Sequence, residues 1–499
     1  MKKHIYILSK SLCIAIIVLL SSCEKFLDLK PINIPVGPTF WQTESDANSA
    51  VLGSYFKLRE CLECGYGLKF FTYGDFPTHV YSNDSEWGLH EFEGNYQYSG
   101  NGAISDWSPF YKVILAANMA IKNITNMPTS IFNGKEALKN SYIGEALFIR
   151  AYTYFYMVRI WGTVPMLLDP VEDASEAVYD QPMSTETEIL TQCIADLKAA
   201  DGYLTWSATA GKKAIRANRA SVNALLAHVY MWQTRANLVS VDNQNFTNAI
   251  NCIELIESNS GASLVDGNSL PTIWKGESAE SLFEFSFKLA DKEGFSKNAG
   301  FADRFLGYPY NTDRELRPIF RFSNNFLALY RDPVHDLRVQ KLFENFTDQS
   351  NCFTTKYNQI QYTNAEKTNW ETEGTVVIFR LADMYLLKAE ALLKKENPDM
   401  GAARTYLNYI RERAGLEDYT GVDANLYEEV ADERARELFL EGHRLYDWVR
   451  TGFYVTKSDG VYSLDRYQRE GYLFPVNYNL LINNRHVKQT PYWADKMNL

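Results

Sequence analysis

The chain reads as a mainly α protein, and three observations predict it. Long stretches place apolar residues at three- and four-residue intervals, the period of a helix face. The later stretches come in pairs: an alanine-rich helix, a break, then a second amphipathic helix. Small residues recur where a neighbouring helix must approach closely. Pairs of this kind follow the logic of stacked helical repeats with a period of about 34 residues. Here long insertions separate them.

The first helix is predicted to begin near Thr43, with Ser45 or Asp46 as its cap and Ala47, Val51, Tyr55 and Leu58 on its apolar face. Residues 107–124 are periodic, and a dense helix through 144–156 is closed by Gly162 and Pro165. Residues 187–200 follow. Residues 217–232 pair with 246–257, and 379–395 pair with 400–414 across an Asn397-Pro398 turn. Ala382, Ala389 and Ala391 give the last pair its tetratricopeptide-like character.

Two regions break the helical pattern. Between residues 65 and 111, 13 of 47 residues are Phe, Tyr or Trp, about twice the chain average, and Gly, Asn, Asp and Ser interrupt them. This aromatic loop region is bounded at 65–106. A second insertion spans 261–375. It holds a strand-like alternation at 282–287 and a turn-rich aromatic run at 301–310.

Composition excludes several classes. The 499 residues carry a formal charge of -11, which argues against nucleic-acid binding and against electrostatic docking on an anionic membrane. Cys61 and Cys64 have CxxC spacing but no second pair to complete a zinc site, so a local disulfide or two free thiols is expected. At the N-terminus, Lys2 and Lys3 precede an apolar run over 12–20, too short to span a bilayer, and then Leu20-Ser21-Ser22-Cys23. That pattern resembles the lipobox of bacterial lipoproteins. Residues 1–22 are then a signal peptide, Cys23 is the lipidation site, 23–40 is a proline-rich tether, and 41–499 is one body. Loss of Lys2, Lys3 and Lys10 deepens the charge from -11 to -14. Past the signal no apolar run approaches 18 residues.

Several motifs in order resemble the SusD/RagB family of Bacteroidetes outer-membrane lipoproteins. They are Cys23-Glu24-Lys25-Phe26-Leu27-Asp28; Trp107, Tyr111, Ile114 and Asn118; Gly144-Glu145-Ala146 with Phe148 and Arg150-Ala151; Arg380-Leu381-Ala382-Asp383-Met384-Tyr385; Glu433-Arg434 with Glu441-Gly442-His443-Arg444 and Asp447; and Leu473-Phe474-Pro475. Gln489-Thr490-Pro491 departs from the family's usual Gln-Asn-Pro. The resemblance implies about four tetratricopeptide-like pairs carrying a loop-rich subdomain with short strands. It implies a surface-exposed, lipid-anchored protein of the outer membrane that captures a glycan, and a SusC-like TonB-dependent transporter as partner. Peptide capture, as in the RagB branch, is the alternative within the family.

No HExxH, GxSxG, P-loop or GxGxxG occurs, and no catalytic residue or cofactor is assigned. Glu437, Glu441, His443, Arg444 and Asp447 are expected to cluster on one helix, at i,i+3 and i,i+4 spacing. They are expected to satisfy one another as a structural network rather than to place His443 as a base oriented by Asp447. A glycoside hydrolase needs only two suitably placed carboxylates, and that reading, like a ligand-free helical scaffold, stays open here. The binding face is expected in the aromatic segment, at Tyr73, Tyr81, Asn83, Asp84, Trp87, Tyr96 and Tyr98. Flat rings beside Asn and Asp suit the C–H faces and hydroxyl rims of sugars. Arg304, Tyr308 and Tyr310 form a second candidate patch. Trp107 and Tyr111 are assigned to helix packing.

Overall fold

The computed structural model describes residues 40–63, 69–82, 102–170, 180–206, 213–291, 293–297, 300–312 and 318–495. Cys23, the signal and the tether lie outside them, as does Cys64; Cys61 is a buried thiol. No helix among the described residues is long and apolar enough to cross a membrane.

Helices α1 (Glu44–Glu63), α2 (Ser108–Asn126), α3 (Glu136–Trp161), α4 (Glu186–Tyr203), α5 (Arg219–Trp232), α6 (Gln244–Asn259), α7 (Leu381–Lys394) and α8 (Met400–Arg413) form four consecutive pairs. Each helix packs on the next, so the pairs stack into one array with a continuous apolar core. Helices α9 (Leu426–Glu437) and α10 (Arg444–Thr451) follow, with α9 against α7 and α8.

Local chemistry sets the helix starts. Thr185 and Glu188 form a reciprocal capping box on α4, Asn218 and Ser221 form one on α5, and Asp399 caps α8. On α1 the expected cap is corrected. Asp46 lies inside the first turn, and its carboxylate accepts from the backbone N–H groups of Gln42 and Thr43. The dense helix α3 runs well beyond the predicted 144–156, and its whole second half is buried.

The predicted start of α7 is also corrected. Phe379 and Arg380 end strand β7 (Gly374–Arg380), which pairs antiparallel with β1 (Ser281–Phe287) from Phe287↔Gly374 to Ser281↔Arg380. Both strands are buried nearly throughout, so neither shows a simple in–out alternation. This ladder closes the insertion at its base. Within the insertion, β2 (Phe295–Ser296), β6 (Trp370–Thr372) and β5 (Ile360–Tyr362) form a small sheet in that order, and β3 (Phe343–Glu344) pairs with β4 (Phe353–Thr354).

At the junction of insertion and helices sits Arg380, fully buried. Its Nε donates to Glu441 (2.7 Å), its Nη1 to Glu437 (2.6 Å) and Glu280 (3.1 Å), and its Nη2 to the Glu437 carbonyl (2.8 Å). Arg413 bridges Glu280 and Glu437, Lys356 reaches Glu441 (2.8 Å), and Arg338 pairs with Asp336 and Glu433. A second group joins α7 to the C-terminal helices. There Arg434 binds both Asp383 and Asp447, and Arg450 binds Glu390 and Asp447. A structural network is therefore present, but the expected single helix is corrected: α9 ends at Glu437, Leu440 and Gly442 turn the chain with positive φ, and α10 begins at Arg444. Asp447 is committed to two arginines rather than to orienting His443. Burial would raise the Glu433 carboxyl, but Arg338 and Arg436 outweigh it and hold the group at about 2. Burial pushes the His443 imidazole down to about 4, so it is neutral at pH 7.

Two outcomes test this junction. Glu437→Gln strips the shared counter-charge from Arg380 and Arg413 and should lower unfolding free energy in urea by about 3–5 kcal/mol. Acid should destabilise the fold in two steps. The His443 contribution is full above pH 6.5 and lost as pH falls towards 4. That of Glu433 is full above 4.5 and lost as pH falls towards 2. The wild-type urea midpoint minus that of His443→Gln, followed from pH 8 to pH 4, should narrow through the first window.

Candidate functional site

The described part of the aromatic surface is built on a small satellite core. Leu306, Phe353 and Trp370 are fully buried, with Tyr310, Ile360 and Tyr362 packed over them. Trp370 and Tyr362 face each other across the β5–β6 ladder, which locks one ring beneath the surface and the other at it. The chain leaves Leu306 through the turn Gly307–Tyr310, closed by the Tyr310 N–H donating to the Gly307 carbonyl (3.0 Å). Tyr308 stands on this turn with about half of its surface exposed.

Tyr310 lies edge-on to Phe353 (6.1 Å, 81°), and its hydroxyl is 3.4 Å from a Glu344 carboxylate oxygen. The Tyr362 hydroxyl donates to the Tyr310 carbonyl (3.2 Å), and the Lys367 ammonium sits 5.2 Å from the Tyr362 ring centre. Burial raises both tyrosine pKa values, with Glu344 adding to the effect at Tyr310, so both hydroxyls stay protonated. The result is a face with one free-standing ring, two anchored rings, a carboxylate and an ammonium. It can stack on a flat apolar surface while donating and accepting hydrogen bonds around the edge.

The other predicted residues divide. Asn83, Asp84, Trp87, Tyr96 and Tyr98 lie outside the described residues. Tyr73 is corrected to the core: it has no exposed surface, meets Phe474 edge-on at 5.0 Å, and donates to the Ile104 carbonyl (2.8 Å). Tyr81 is corrected likewise, since it stacks on Phe320 and Phe322, each at 5.1 Å. Arg304 is no surface companion of Tyr308. It is buried, 3.1 Å from Asp303, and its carbonyl accepts from the Phe320 N–H. Tyr308 is half exposed, and Tyr310 is partly buried on the satellite core. Trp107 and Tyr111 pack as expected, Trp107 edge-on to Trp161 and Tyr111 donating to the Pro165 carbonyl.

The buried tyrosines still organise the surface. Tyr81 bridges Phe322, the Ser82 N–H donates to the Arg321 carbonyl (2.7 Å), and the Ser323 N–H donates to the Val80 carbonyl (2.9 Å). Residue 82, where the aromatic segment continues, is thereby tied beside residues 321–323, which follow the tyrosine turn in the chain. Below it, Gly442 has φ +75°, a conformation glycine adopts without cost. Its N–H donates 2.8 Å to Asp75, while a Cβ there would lie 2.6 Å from the Phe70 ring.

Tyr362, Glu344 and Lys367 escaped sequence reasoning. They sit on two- and three-residue strands or in a turn, too short to show a period. Among the described residues, one trio has metal-ligand character. His228, Asp383 and His443 bring their ligand atoms within 4.8 Å of one another. Asp383 already takes His228 (2.7 Å) and Arg434 (2.9 Å), so its carboxylate works as a hydrogen-bonded brace between α5, α7 and α9.

Fold and face together define a class: a stacked-helix scaffold that presents an inserted aromatic surface. Comparison with known proteins narrows it. The family described as "SusD family" matches residues 340–493, and that described as "Starch-binding associating with outer membrane" matches residues 70–231. SusD-like protein P38 of Formosa agariphila is 24% identical, covering 97% of this chain and 99% of its own. A SusD homolog of Bacteroides thetaiotaomicron superposes with a TM-score of 0.78 at 27% identity, covering 91% of this chain and 99% of that one. A laminarin-binding SusD-like protein shares the fold with a TM-score of 0.70 at 21% identity, covering 90% and 99%. By sequence and fold the chain is thus similar to SusD-like proteins along most of its length.

Exposure separates the two kinds of tyrosine. Tyr81→Ala should cost about 3–5 kcal/mol of stability, as a large buried ring does, whereas Tyr308→Ala should stay within about 0.5 kcal/mol. Thermal melts of the two variants decide it.

Proposed function

We propose that this protein is a non-catalytic glycan-binding component of the outer membrane. In this reading it is anchored by lipid at Cys23 and passes captured oligosaccharide to a SusC-like TonB-dependent transporter. The observation that carries the binding reading is the half-exposed Tyr308, held beside the anchored Tyr310 and Tyr362 with donors and acceptors at the rim. Family likeness supports the same direction, because one matching family is described as starch-binding and one fold relative as laminarin-binding. The membrane placement and the transporter rest on the lipobox pattern and on the family likeness.

Magnitudes shape the mechanism. An aromatic platform contributes about 1 kcal/mol, so three rings give about -3 kcal/mol, short of the roughly -4 kcal/mol of millimolar binding. Capture is then effective for polymers that engage several contacts at once. Glu344 is the one carboxylate that touches the tyrosine face through a hydrogen bond among the described residues.

A glycan array probed with the soluble protein from residue 24 onward should show binding to at least one polysaccharide, without new reducing ends on prolonged incubation. Tyr308→Ala should weaken that binding about fivefold. Binding to oligopeptides and to no glycan would overturn the reading.

A further inference from the structure

A groove of about 770 Å³ opens between α1 and the wall formed by β1 and the turn after it. That volume lies in the usual range for small-molecule sites. It is separate from the tyrosine turn and carries none of the residues that the sequence nominated. Leu52 and Phe56, one helical turn apart on α1, line it with 45% and 50% of their surfaces exposed. Large apolar side chains left bare inside a polar rim mark a contact surface.

The rim is fixed before any ligand arrives. Arg59 donates two hydrogen bonds to the Glu293 carboxylate (2.8 and 2.6 Å) and one to the Ser286 carbonyl (2.9 Å), and its guanidinium lies over the Phe287 ring at 4.8 Å. At the back, Glu284 is 1% exposed. Its Oε1 accepts from the Glu277 N–H, while its Oε2 and the nearby Thr375 hydroxyl have no hydrogen-bond partner. Gly276 covers this spot with backbone alone: a Cβ there would lie 2.9 Å from the Thr375 hydroxyl and 3.3 Å from Glu284. Orphaned buried oxygens call for a partner.

Charge selects the chemistry. An anion entering the groove meets Glu277, Glu284, Asp291 and Glu293, and a cation meets Arg59, Arg216 and Lys288. A neutral polyol suits both signs, because each hydroxyl donates to a carboxylate and accepts from a guanidinium or ammonium. Its C–H face matches the Leu52–Phe56 strip. We propose that this groove is a second carbohydrate subsite, taking neutral sugar residues of the same chain that the tyrosine turn holds. The proposal rests on the glycan-binding reading for the ligand's class.

The two sites share a wall. Glu293 stands two residues before β2, β2 pairs with β6, and Trp370 of β6 lies in the core under Tyr310. A long oligosaccharide bound at both gains effective concentration that a disaccharide cannot.

The test uses the soluble chain, every glycan on the array, and three variants: Phe56→Ala, Leu52→Gln and Tyr308→Ala. Both groove variants should keep the wild-type melting temperature and lower affinity for the longest bound oligosaccharide five- to tenfold. The Phe56→Ala, Tyr308→Ala double variant should lose more than either single one. If Phe56→Ala melts early, Leu52→Gln carries the decision. Unchanged affinity in the folded groove variants, with a loss in Tyr308→Ala, overturns the groove and spares the tyrosine face. No glycan binding by the wild-type chain overturns both.

Discussion

A single buried guanidinium holds this protein together. Arg380 ends the strand that closes the insertion and opens the helix that carries the last repeat. Its five hydrogen bonds reach Glu280 beside β1, Glu437 at the end of α9 and Glu441 beyond it. An arginine buried to this depth is tolerable only when its charge and all its donors are met. The requirement runs both ways, because the carboxylates also need Arg380, Arg413 and Lys356. Insertion and helices therefore cannot shift independently without stranding charge in an apolar interior.

The aromatic surface depends on that rigidity. Tyr308 is useful as a platform only if the turn beneath it does not move, and the turn rests on Leu306, Phe353 and Trp370. The insertion that contains them is held at its base by β1 and β7 and by Lys356, which reaches Glu441 and the Phe439 carbonyl. The groove beside α1 lies on the same insertion wall. A binder built from weak contacts needs such a frame, because affinity spread over several rings survives only when their spacing is preset.

Aromatic density proved an ambiguous signal. Tyr73, Tyr81 and Phe76 share their segment with Trp87 and Tyr96 and look no different in sequence. Yet the first three pack into the core against Phe474, Phe320 and Phe305. Rings separated by Gly, Asn and Asp carry no period that says which way each points. Arg304 failed for the same reason: one charged residue in a turn-rich run is as easily a buried pair with Asp303 as a surface donor. Tyr308 and Tyr310 flank Pro309 alike, yet one stands half exposed and the other packs on Phe353.

What the sequence by itself determined is the helical array. Periodicity and the small residues Ala382 and Ala391 at close approaches are local facts, and helices form from local facts. The spacing of Glu437, Glu441 and Arg444 misled, because the chain breaks between α9 and α10 and the braces close through Arg380, Arg413 and Lys356 instead. The tertiary structure alone decided that Phe379 and Arg380 belong to a strand, because that choice is made by Leu282–Phe287 nearly a hundred residues earlier. It alone joined Tyr362 and Glu344 to Tyr310, and Phe56 to Glu284. Surfaces are assembled from segments distant in sequence, and distance erases the spacing by which a motif is read.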